Sequence, residues 1–386
     1  MLPSTSIVVP TYWTREGGER RPGDAVYDHP TPVGTPGTLG ALLESLDRLD
    51  TSQFFLVLLV AVTADDAAAG AERSVRELVG RHPGLRSLVF GPSQFAWLHQ
   101  WLSDNDLDDA ASFLALRAYP KIRNLQLVLP LALGASSIVA LDDDEIVTDP
   151  NFLSKAVEPL GKPVNGGRVD GLSGHYEQDD GSIFLKVDPA KASSSNLFDR
   201  KATIMNAATE MLERESGNLV PTPVCFGGNM EFTAELAASV GFDPGITRGE
   251  DIDYLINARM EGRKFFLRKD LRILHCPPAG GSYKDANISK LEQDVIRFLY
   301  EREKLHASQE NAALHPVTPD ELMPYPGEFL QADLETQACE ALEKAGLPGG
   351  CGEFIGEVAS GLPDRVSQYL RFRTQWPSAV EQISGS

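Results

Sequence analysis

The chain has 386 residues, of which 42% are apolar and 23% charged, so it can build one large domain or two modest ones. Its formal net charge of −20 argues against a partner held through nucleic-acid phosphates. The apolar run at 54–62 is too short to span a bilayer, and the run at 125–141 is split by Pro130 and Gly134. The N-terminus enters a strand pattern without a signal peptide. We therefore expect a cytoplasmic protein with neither a membrane span nor a nucleic-acid partner.

Cysteine usage gives a further expectation about the compartment. The four cysteines are widely scattered and form no CxxC pair: Cys225, Cys276, Cys339 and Cys351. This pattern predicts reduced thiols of a cytosolic protein rather than a disulfide frame or a zinc site.

Strands and helices alternate along the first 150 residues. Strands are predicted at 6–10, 54–62, 86–90 and 137–141, and helices at 39–49, 67–79, 93–118 and 122–133. Residues Pro10-Thr11-Tyr12 are expected to end the first strand, and the Gly- and Pro-rich stretch 13–38 to form a long loop. Trp97 and Trp101, one helical turn apart, are interpreted as packing residues. The alternation predicts an α/β fold with a mostly parallel, doubly wound sheet.

The strand at 137–141 runs directly into four carboxylates, Asp142 to Glu145. Side chains alternate along a strand, so Asp142 and Asp144 project to one side and Asp143 to the other. Two carboxylates placed in this way suit a hard cation such as Mg²⁺ or Mn²⁺. The alternative is that the acidic run is only a solvated loop after the strand.

Polar groups follow three predicted strands at the point where each strand ends. They are Thr11-Tyr12, Asp65-Asp66 and the run from Asp142 to Asp144. Ligands of open α/β sheets bind beyond the carboxyl ends of the strands. The agreement of these three ends favours a nucleotide site at this edge.

The second half of the chain has a different character. A Gly- and Asp-rich stretch at 164–186 precedes a polar loop at 193–196, helices are predicted at 197–213, 246–262 and 287–305, and a strand is predicted at 265–276. Gly227-Gly228-Asn229 allows a ligand close to the backbone, and Gly262 is placed to terminate a helix. The remainder of the chain is expected to be helical.

Four separated motifs fall in one order: Val9 to Tyr12, Asp142 to Asp144, Gly227 to Asn229, and Gly249-Glu250-Asp251-Ile252-Asp253 followed by His275. This order resembles the GT-A fold glycosyltransferases, particularly family-2-like enzymes and their mannosylglycerate-synthase-type relatives, over roughly residues 5 to 280. The resemblance implies a GT-A domain over 1–285 with a Rossmann-like sheet. That domain divides into a nucleotide-binding half at 1–150 and an acceptor half at 151–285, and a helical region follows at 286–386.

The resemblance also implies residue roles on the donor side. Pro10, Thr11 and Tyr12 would border the base and ribose, and Asp65 or Asp66 would accept hydrogen bonds from them. The helix start with Lys121, Arg123 and Asn124 would lie near the donor, although Lys121 could equally be a solvated base. Asp142 and Asp143 would border the diphosphate, and Gly227, Gly228 and Asn229 would lie against the donor sugar, unless they form an ordinary glycine turn.

A metal site and a base follow from the same resemblance. Asp144, assisted by Asp142, would hold the metal, and His275 would complete its shell; the alternative is a core histidine. Asp251 would be the general base of an inverting enzyme with Glu250 beside it, whereas retaining relatives use this segment to bind the acceptor. Acidic residues also stabilise a helix N-terminus without any catalytic role. Arg248 and Arg263 could hold an anionic acceptor.

Together these features predict a metal-dependent glycosyltransferase that moves a hexose from a nucleotide-diphosphate sugar to a hydroxyl of a small or soluble acceptor. Two other readings are a nucleotidyltransferase with the same sheet and a non-catalytic sugar-nucleotide-binding protein. The segments 13–38 and 165–200 are candidate lids. The helical tail could cover the acceptor pocket or form a homodimer interface.

Overall fold

The computed structural model describes residues 2–278, 287–347 and 350–385. Ten strands form one central sheet, and two short strands form a separate ribbon. The strands are β1 (Thr5–Thr14), β2 (Thr31–Pro32), β3 (Phe55–Val62), β4 (Ser87–Phe90), β5 (Ser137–Leu141), β6 (Glu145–Ile146), β7 (Pro163–Val164), β8 (Gly167–Arg168), β9 (Gly171–Glu177), β10 (Leu219–Pro221), β11 (Asn229–Thr233) and β12 (Phe265–His275).

The order across the sheet is β10-β12-β9-β11-β5-β1-β3-β4, with β2 beside β1 and β6 beside β12. Strands β5, β1, β3 and β4 are parallel, as are β9 and β12, whereas β11 runs antiparallel to both β5 and β9. Every residue of β1 is buried, as expected for a strand covered on both faces. The predicted α/β class with a mostly parallel sheet is confirmed.

Helices cover both faces of the sheet. They are α1 (Leu39–Leu46), α2 (Ala68–Gly80), α3 (Pro92–Asp104), α4 (Asp108–Phe113), α5 (Tyr119–Ala132), α6 (Phe152–Val157), α7 (Pro189–Ala192), α8 (Lys201–Arg214), α9 (Ala234–Ser239), α10 (Glu250–Met260), α11 (Asn287–Glu310), α12 (Leu334–Lys344) and α13 (Cys351–Ser384). Helices α1, α2 and α6 contribute to the core on one face, and α3 to α5 with α8 to α13 contribute to the larger core on the other.

The C-terminal helices share this larger core. Trp376 of α13 is buried and donates its indole N–H to the carbonyl of Ala237 at 3.0 Å, and Phe372 meets Phe113 edge-on at 4.8 Å between ring centroids. Lys304 of α11 is fully buried and pairs with Asp243 at 3.1 Å and with Asp253 of α10. The expected domain boundary near residue 285 stays a prediction.

Three sequence-based expectations are wrong. Strand β1 continues past Tyr12 to Thr14, because the chain from residue 31 adds β2 beside it and satisfies its backbone. Trp97 is 68% exposed, since the apolar face of α3 is defined by Leu98 and Leu102, which are both buried. Cys339 and Cys351 are joined in a disulfide between α12 and α13, with Cα atoms 5.0 Å apart, so only Cys225 and Cys276 are free thiols.

Within the described ranges, no helix combines the length and the apolar character that a bilayer crossing requires.

Candidate functional site

A cleft of about 600 Å³ opens at the carboxyl ends of β1 and β5. The N-terminus of α10 and the end of β12 also line it. Parallel strands direct their carboxyl ends to the same edge, so residues from distant parts of the chain meet here. Ten of the residues singled out from the sequence line the cleft: Tyr12, Arg123, Asp142, Asp143, Asp144, Gly227, Arg248, Glu250, Asp251 and His275.

Asp144 and His275 form a pair at one end of the cleft. The imidazole Nε2 lies 3.4 Å from the carboxylate Oδ2, and the ring stacks on Tyr176 at 5.1 Å with an interplanar angle of 13°. Burial opposes a positive charge on His275, but the hydrogen bond and negative charge of Asp144, with Asp142 nearby, raise its pKa overall. The strand pairing of His275 with Glu145 fixes this approach, because it brings β12 alongside the acidic run.

Asp142 is held by a buried arginine. Nη1 of Arg123 lies 3.0 Å from Oδ1 of Asp142, and its Nε lies 3.3 Å from Oε1 of Glu250. Burial disfavours the charge on Arg123, yet the two carboxylates, together with Tyr12, raise its pKa well above the ordinary value. Arg123 therefore links the acidic run after β5 to the start of α10. Of the predicted metal ligands, the structure pairs Asp144 with His275 and pairs Asp142 with Arg123.

The other two carboxylates of the run are buried. Asp143 accepts a hydrogen bond from Thr11 Oγ1 at 2.6 Å, and burial raises its pKa to about 8. Glu145 accepts the backbone N–H of Asp142 at 2.9 Å, and burial raises its pKa well above the ordinary value, with the charge of Asp142 adding to the shift. These two acids shape the turn after β5, whereas Asp142 and Asp144 are the pair nearer solvent.

The glycine pair packs closely against this turn. The N–H of Gly227 donates to Oδ2 of Asp251 at 3.2 Å, and the N–H of Gly228 donates to the Tyr176 hydroxyl at 2.6 Å. A Cβ on Gly228 would lie 2.0 Å from Oε1 of Glu145. A side chain at residue 228 would therefore displace the carboxylates of Glu145 and Asp142 in the acidic run.

Helix α10 begins at the cleft. Gly249 precedes it with a φ of 71°, in the left-handed region. Glu250 is buried and paired with Arg123, and burial raises its pKa. Asp251 lines the cleft, where its Oδ1 accepts the N–H of Ile252 at 2.8 Å. Of the two acids, Asp251 is the less buried.

Basic groups gather in one part of the cleft, its basic end, and the sequence pointed to only Arg248 among them. Lys201, Arg248, Arg297 and His29 all line it, with Asp28 beside them. Lys201 lies 2.7 Å from Asp294, and burial lowers its pKa to about 8. The side-chain nitrogens Nε of Arg297 and Nδ1 of His29 are buried without a hydrogen-bond partner in the described ranges. Arg263 instead pairs with Glu235 at 2.5 Å.

Several predicted donor-site residues lie elsewhere. Asn124 is fully buried and clamps the backbone at Phe242, where it accepts the N–H at 2.8 Å and donates to the carbonyl at 2.9 Å. Asn229 is also fully buried, and its amide donates to the carbonyl of His175 at 3.2 Å.

Other predicted residues are held in the sheet or at its surface. Pro10 and Thr11 are buried in β1, and Lys121 is half-buried at the start of α5. Asp65 pairs with Arg117 at 2.7 Å, and Asp66 pairs with Arg15 at 2.7 Å, both at the surface beyond β3. The structure therefore does not bring these residues together with the acidic run, except through the hydrogen bond from Thr11 to Asp143.

Tyr12 belongs to an aromatic group that flanks the acidic end. Its ring lies 4.6 Å from Tyr27 and 5.5 Å from Tyr119, measured between centroids. Tyr27 lies in the 13–38 segment and is 2% exposed. Sequence reasoning missed Tyr27, Tyr119 and Tyr176, since isolated tyrosines carry no motif.

No protein-family model matches the chain, and no curated protein matches it. In three dimensions it is similar to the mannosyltransferase PcManGT from Pyrobaculum calidifontis in complex with GDP-Man and Mn²⁺, with a TM-score of 0.49 and 14% identity over 100% of this chain and 87% of that one. It is also similar to glucosyl-3-phosphoglycerate synthase from Mycobacterium tuberculosis in complex with Mn²⁺ and UDP-Glc, with a TM-score of 0.39 and 16% identity over 78% and 79% of the two chains. A third similar structure is TarS from S. aureus, with a TM-score of 0.39 and 11% identity over 96% of this chain and 55% of that one. All three similarities have TM-scores below 0.5 and sequence identities below 25%.

Proposed function

We propose that this protein is a metal-dependent glycosyltransferase that transfers a hexose from a nucleotide-diphosphate sugar to a hydroxyl of a small anionic acceptor. The observation that carries the proposal is the arrangement of one cleft. A carboxylate–imidazole pair, Asp144 with His275, lines this cleft together with Asp251 at the start of α10 and with three cations, Lys201, Arg248 and Arg297.

The residues at the acidic end fit a divalent cation. Carboxylate and imidazole groups are ligands for Mn²⁺, and carboxylates with water and phosphate oxygens suit Mg²⁺. Asp144 and His275 would hold the ion, with Asp142 beside them, and would leave positions for the diphosphate. The bound ion would supply Lewis-acid stabilisation of the departing nucleoside diphosphate.

The chain's own residues account for donor placement. Tyr12 and Tyr119 present aromatic surface at the acidic end, against which a base can pack. The backbone of Gly227 lines the cleft, and a donor sugar would lie against it. Arg123 keeps Asp142 and Glu250 at a fixed separation, so donor and acceptor groups are positioned by the same buried side chain.

The acceptor end supplies a base and a countercharge. Asp251 would remove the proton from the attacking hydroxyl, provided that the acceptor hydroxyl lies within hydrogen-bond reach of its carboxylate. Lys201, Arg248 and Arg297 form a basic lobe in a chain whose net charge is −20. Asp294 and Asp28 offset part of this positive charge, and the remaining excess of cations favours an acceptor that carries a carboxylate or phosphate.

Two alternatives are less well supported. A nucleotidyltransferase with this sheet would place a glycine-rich basic loop after the first strand, whereas β1 continues as a buried strand through Trp13 and Thr14. A non-catalytic binding protein would not require an acid such as Asp251 in the same cleft as the carboxylate–imidazole pair.

The decisive experiment has two stages. Thermal unfolding is first measured with Mn²⁺ and a panel of nucleoside diphosphates, and one of them is expected to raise the melting temperature in a metal-dependent way. Transfer from the corresponding nucleotide sugars is then measured for the wild type and for Asp144→Asn, Asp251→Asn and Asp65→Asn.

Asp144→Asn is expected to lose the metal-dependent stabilisation. Its turnover is expected to fall by at least roughly 100-fold, the size of effect seen when a charge contact to the transition state is removed. Asp251→Asn is expected to keep donor binding and lose turnover, whereas Asp65→Asn, an acid at the neighbouring strand end outside the cleft, is expected to keep both. Wild-type turnover in Asp144→Asn with the fold intact would reject the proposed function.

A further inference from the structure

Three side chains that can bind a metal gather where α12 meets α13. Cys339 and Glu343 are four residues apart on α12 and therefore share one face of that helix, and Cys351 is the first residue of α13. One ligand atom of each side chain lies within 4.8 Å of the other two. None of the three is among the residues that line the cleft, so the group is separate from the candidate active site.

The disulfide accounts for the two cysteines but not for the carboxylate beside them. Oε1 of Glu343 lies 3.2 Å from Sγ of Cys351 and 3.9 Å from Sγ of Cys339. A disulfide sulfur has no proton to donate, so neither contact is a hydrogen bond while the bridge is formed. In the described ranges no lysine or arginine pairs with this carboxylate. The position of Glu343 is explained if the two sulfurs can also be thiolates that share a cation with it.

The chemistry of these three ligands selects the ion. Thiolates are soft ligands that favour Zn²⁺ over Mg²⁺ and Mn²⁺, and zinc also accepts a carboxylate oxygen. Two thiolates and one carboxylate leave the fourth position of a tetrahedral site for water. Glu343 is exposed and Cys339 half-buried, so an ion can enter from solvent. Cys351 begins a helix of 34 residues, and the N-terminus of a helix favours the negative charge of a thiolate.

A link between α12 and α13 also fastens the segment that leads into α8. The carbonyl of Gln337 in α12 accepts the side-chain amide N–H of Asn196 at 2.8 Å, and Oε1 of Gln337 accepts the backbone N–H of Leu197 at 3.1 Å. Lys344 at the end of α12 pairs with Asp199 at 2.7 Å. A reducing environment opens disulfides, whereas a metal ion held by thiolates can keep two helices joined there.

We propose that Cys339, Glu343 and Cys351 form a zinc site, which joins α12 to α13 when the two cysteines are reduced. Reduction by a low-molecular-weight thiol breaks the sulfur–sulfur bond, gives the two cysteine thiols and converts two molecules of the reductant into their own disulfide. Zinc binding then releases the two thiol protons to water and forms two zinc–sulfur bonds and one zinc–oxygen bond. The disulfide and the metal are therefore alternative links at one junction, and the proposal is independent of the transferase reaction.

The test uses Co²⁺ as a spectroscopic probe, because a thiolate bound to Co²⁺ absorbs in the near ultraviolet and a tetrahedral site gives intense visible bands. The full chain is reduced with a phosphine, separated from it under inert gas, and titrated first with Co²⁺ and then with Zn²⁺. The reduced wild type is expected to gain a thiolate–cobalt band that Zn²⁺ abolishes. The oxidised protein is expected to show no such band.

Four variants assign the band to this site. Cys339→Ser is expected to abolish it, and Glu343→Gln is expected to lower the affinity for Co²⁺ by at least roughly 10-fold. Cys276→Ser removes the thiol next to His275, and Glu357→Gln changes an exposed acid of α13; both are expected to leave the band and the affinity unchanged. Because Glu343 is exposed, its variant tests the site even if a cysteine variant fails to fold.

Thermal unfolding supplies a second measurement. Zn²⁺ is expected to raise the melting temperature of the reduced wild type by more than that of Cys339→Ala/Cys351→Ala, because only the wild type gains the link between the helices. Absence of the band from the reduced wild type, or an equal band in Cys339→Ser, overturns the proposal. Equal Co²⁺ affinity of Glu343→Gln and Glu357→Gln, or an equal zinc-dependent shift in melting temperature with and without the two cysteines, also overturns it.

Discussion

At the scale of single residues, this protein accommodates buried ionisable side chains in two different ways. Arg123 is compensated by carboxylates on two sides, which keeps it charged in a dry environment. Glu231 of β11 has no such compensation: it is 0% exposed, and neither of its carboxylate oxygens accepts a hydrogen bond within the described ranges. Burial raises the pKa of Glu231 well above the ordinary value, although the charge of Arg268 acts in the opposite direction. Glu231 is therefore neutral in the folded protein at conditions where it ionises in the unfolded chain.

Glu231→Gln is expected to change how stability depends on pH. Because the folded-state pKa lies above the unfolded one, the stability that Glu231 contributes is fully present below the unfolded pKa and is lost as pH rises toward the folded pKa. Within that window the wild type is expected to lose up to about 1.4 kcal/mol per pH unit relative to the variant. Urea unfolding at pH 5 and at higher pH measures this difference, with exposed Glu44→Gln as the control. Parallel pH profiles for wild type and Glu231→Gln would contradict the assignment.

At the scale of elements, the turn before β11 shows how the backbone packs against the acidic run after β5. Its position depends on strand pairing with β5, where Asn229 opposes Leu141 directly before the carboxylates. The N–H groups of the two glycines are directed to Asp251 and Tyr176, so the turn joins both walls of the cleft. Little space remains for any side chain at position 228.

Gly228→Ala is expected to reduce turnover by roughly 100-fold or more, because displacement of the acid run by even about 1 Å misplaces the reacting groups. Kinetic measurement of both Michaelis constants and turnover tests this, together with a melting curve that shows retention of the fold. Gly352→Ala in α13 is the matched control, since a Cβ there meets nothing within 4 Å, and we expect unchanged turnover. Equal activity of the two variants would be inconsistent with a tight turn.

A disulfide joins helices α12 and α13. The disulfide between Cys339 and Cys351 spans 12 residues and closes the connection between these helices. Restricting a loop of this length in the unfolded chain is worth about 3 kcal/mol in the loop-entropy model. Reductant is therefore expected to lower the stability of the wild type by about that amount and to leave Cys339→Ala/Cys351→Ala unaffected. Thiol titration of the denatured, unreduced protein is expected to find the two free cysteines; detection of four would show that the bridge is absent.

At the scale of the whole molecule, the helices after residue 287 belong to the same core as the helices before them and do not build a separate core. Asp243 and Asp253 belong to the region before the expected boundary, yet their buried countercharge is Lys304 of α11. The hydroxyl of Tyr300 donates to Asp243 as well, at 2.7 Å. Cooperative unfolding of both regions follows from this shared network.

Lys304→Met is expected to destabilise the protein by about 3–5 kcal/mol, because it leaves buried carboxylates without their partner. A single shifted transition in denaturant, observed both by fluorescence and by circular dichroism, would show that the two regions unfold together. Lys344→Met, which removes an exposed lysine paired with Asp199, is the control and is expected to have little effect. Two separate transitions in the wild type would instead support independent domains.

The sequence was most informative where local pattern and chemistry coincide. The β-branched strand at 137–141 and its acids predicted both β5 and the acidic end of the cleft. The apolar spacing at 246–262 predicted α10, whereas Asp251 was singled out only by the family resemblance. Direction of side chains was harder to infer: Asn124 and Asn229 lie beside site residues in the chain but are directed into the core by helical phase and strand alternation. Lys201, Arg297 and Tyr176 were missed because only the tertiary fold brings them together, and no spacing rule connects them.

One stretch of chain serves both ends of the cleft. Tyr12 at the acidic end packs on Tyr27, and the next two residues after Tyr27, Asp28 and His29, line the basic end. The stretch is fastened to the sheet by the N–H of Ala25, which donates to the carbonyl of Thr63 at 2.8 Å, and by the N–H of Asp28, which donates to the Tyr119 hydroxyl at 2.9 Å. A variant that loosens this anchor, such as Tyr27→Ala, is expected to raise the Michaelis constants of both co-substrates together. Initial-rate kinetics measured against each co-substrate would show this joint increase.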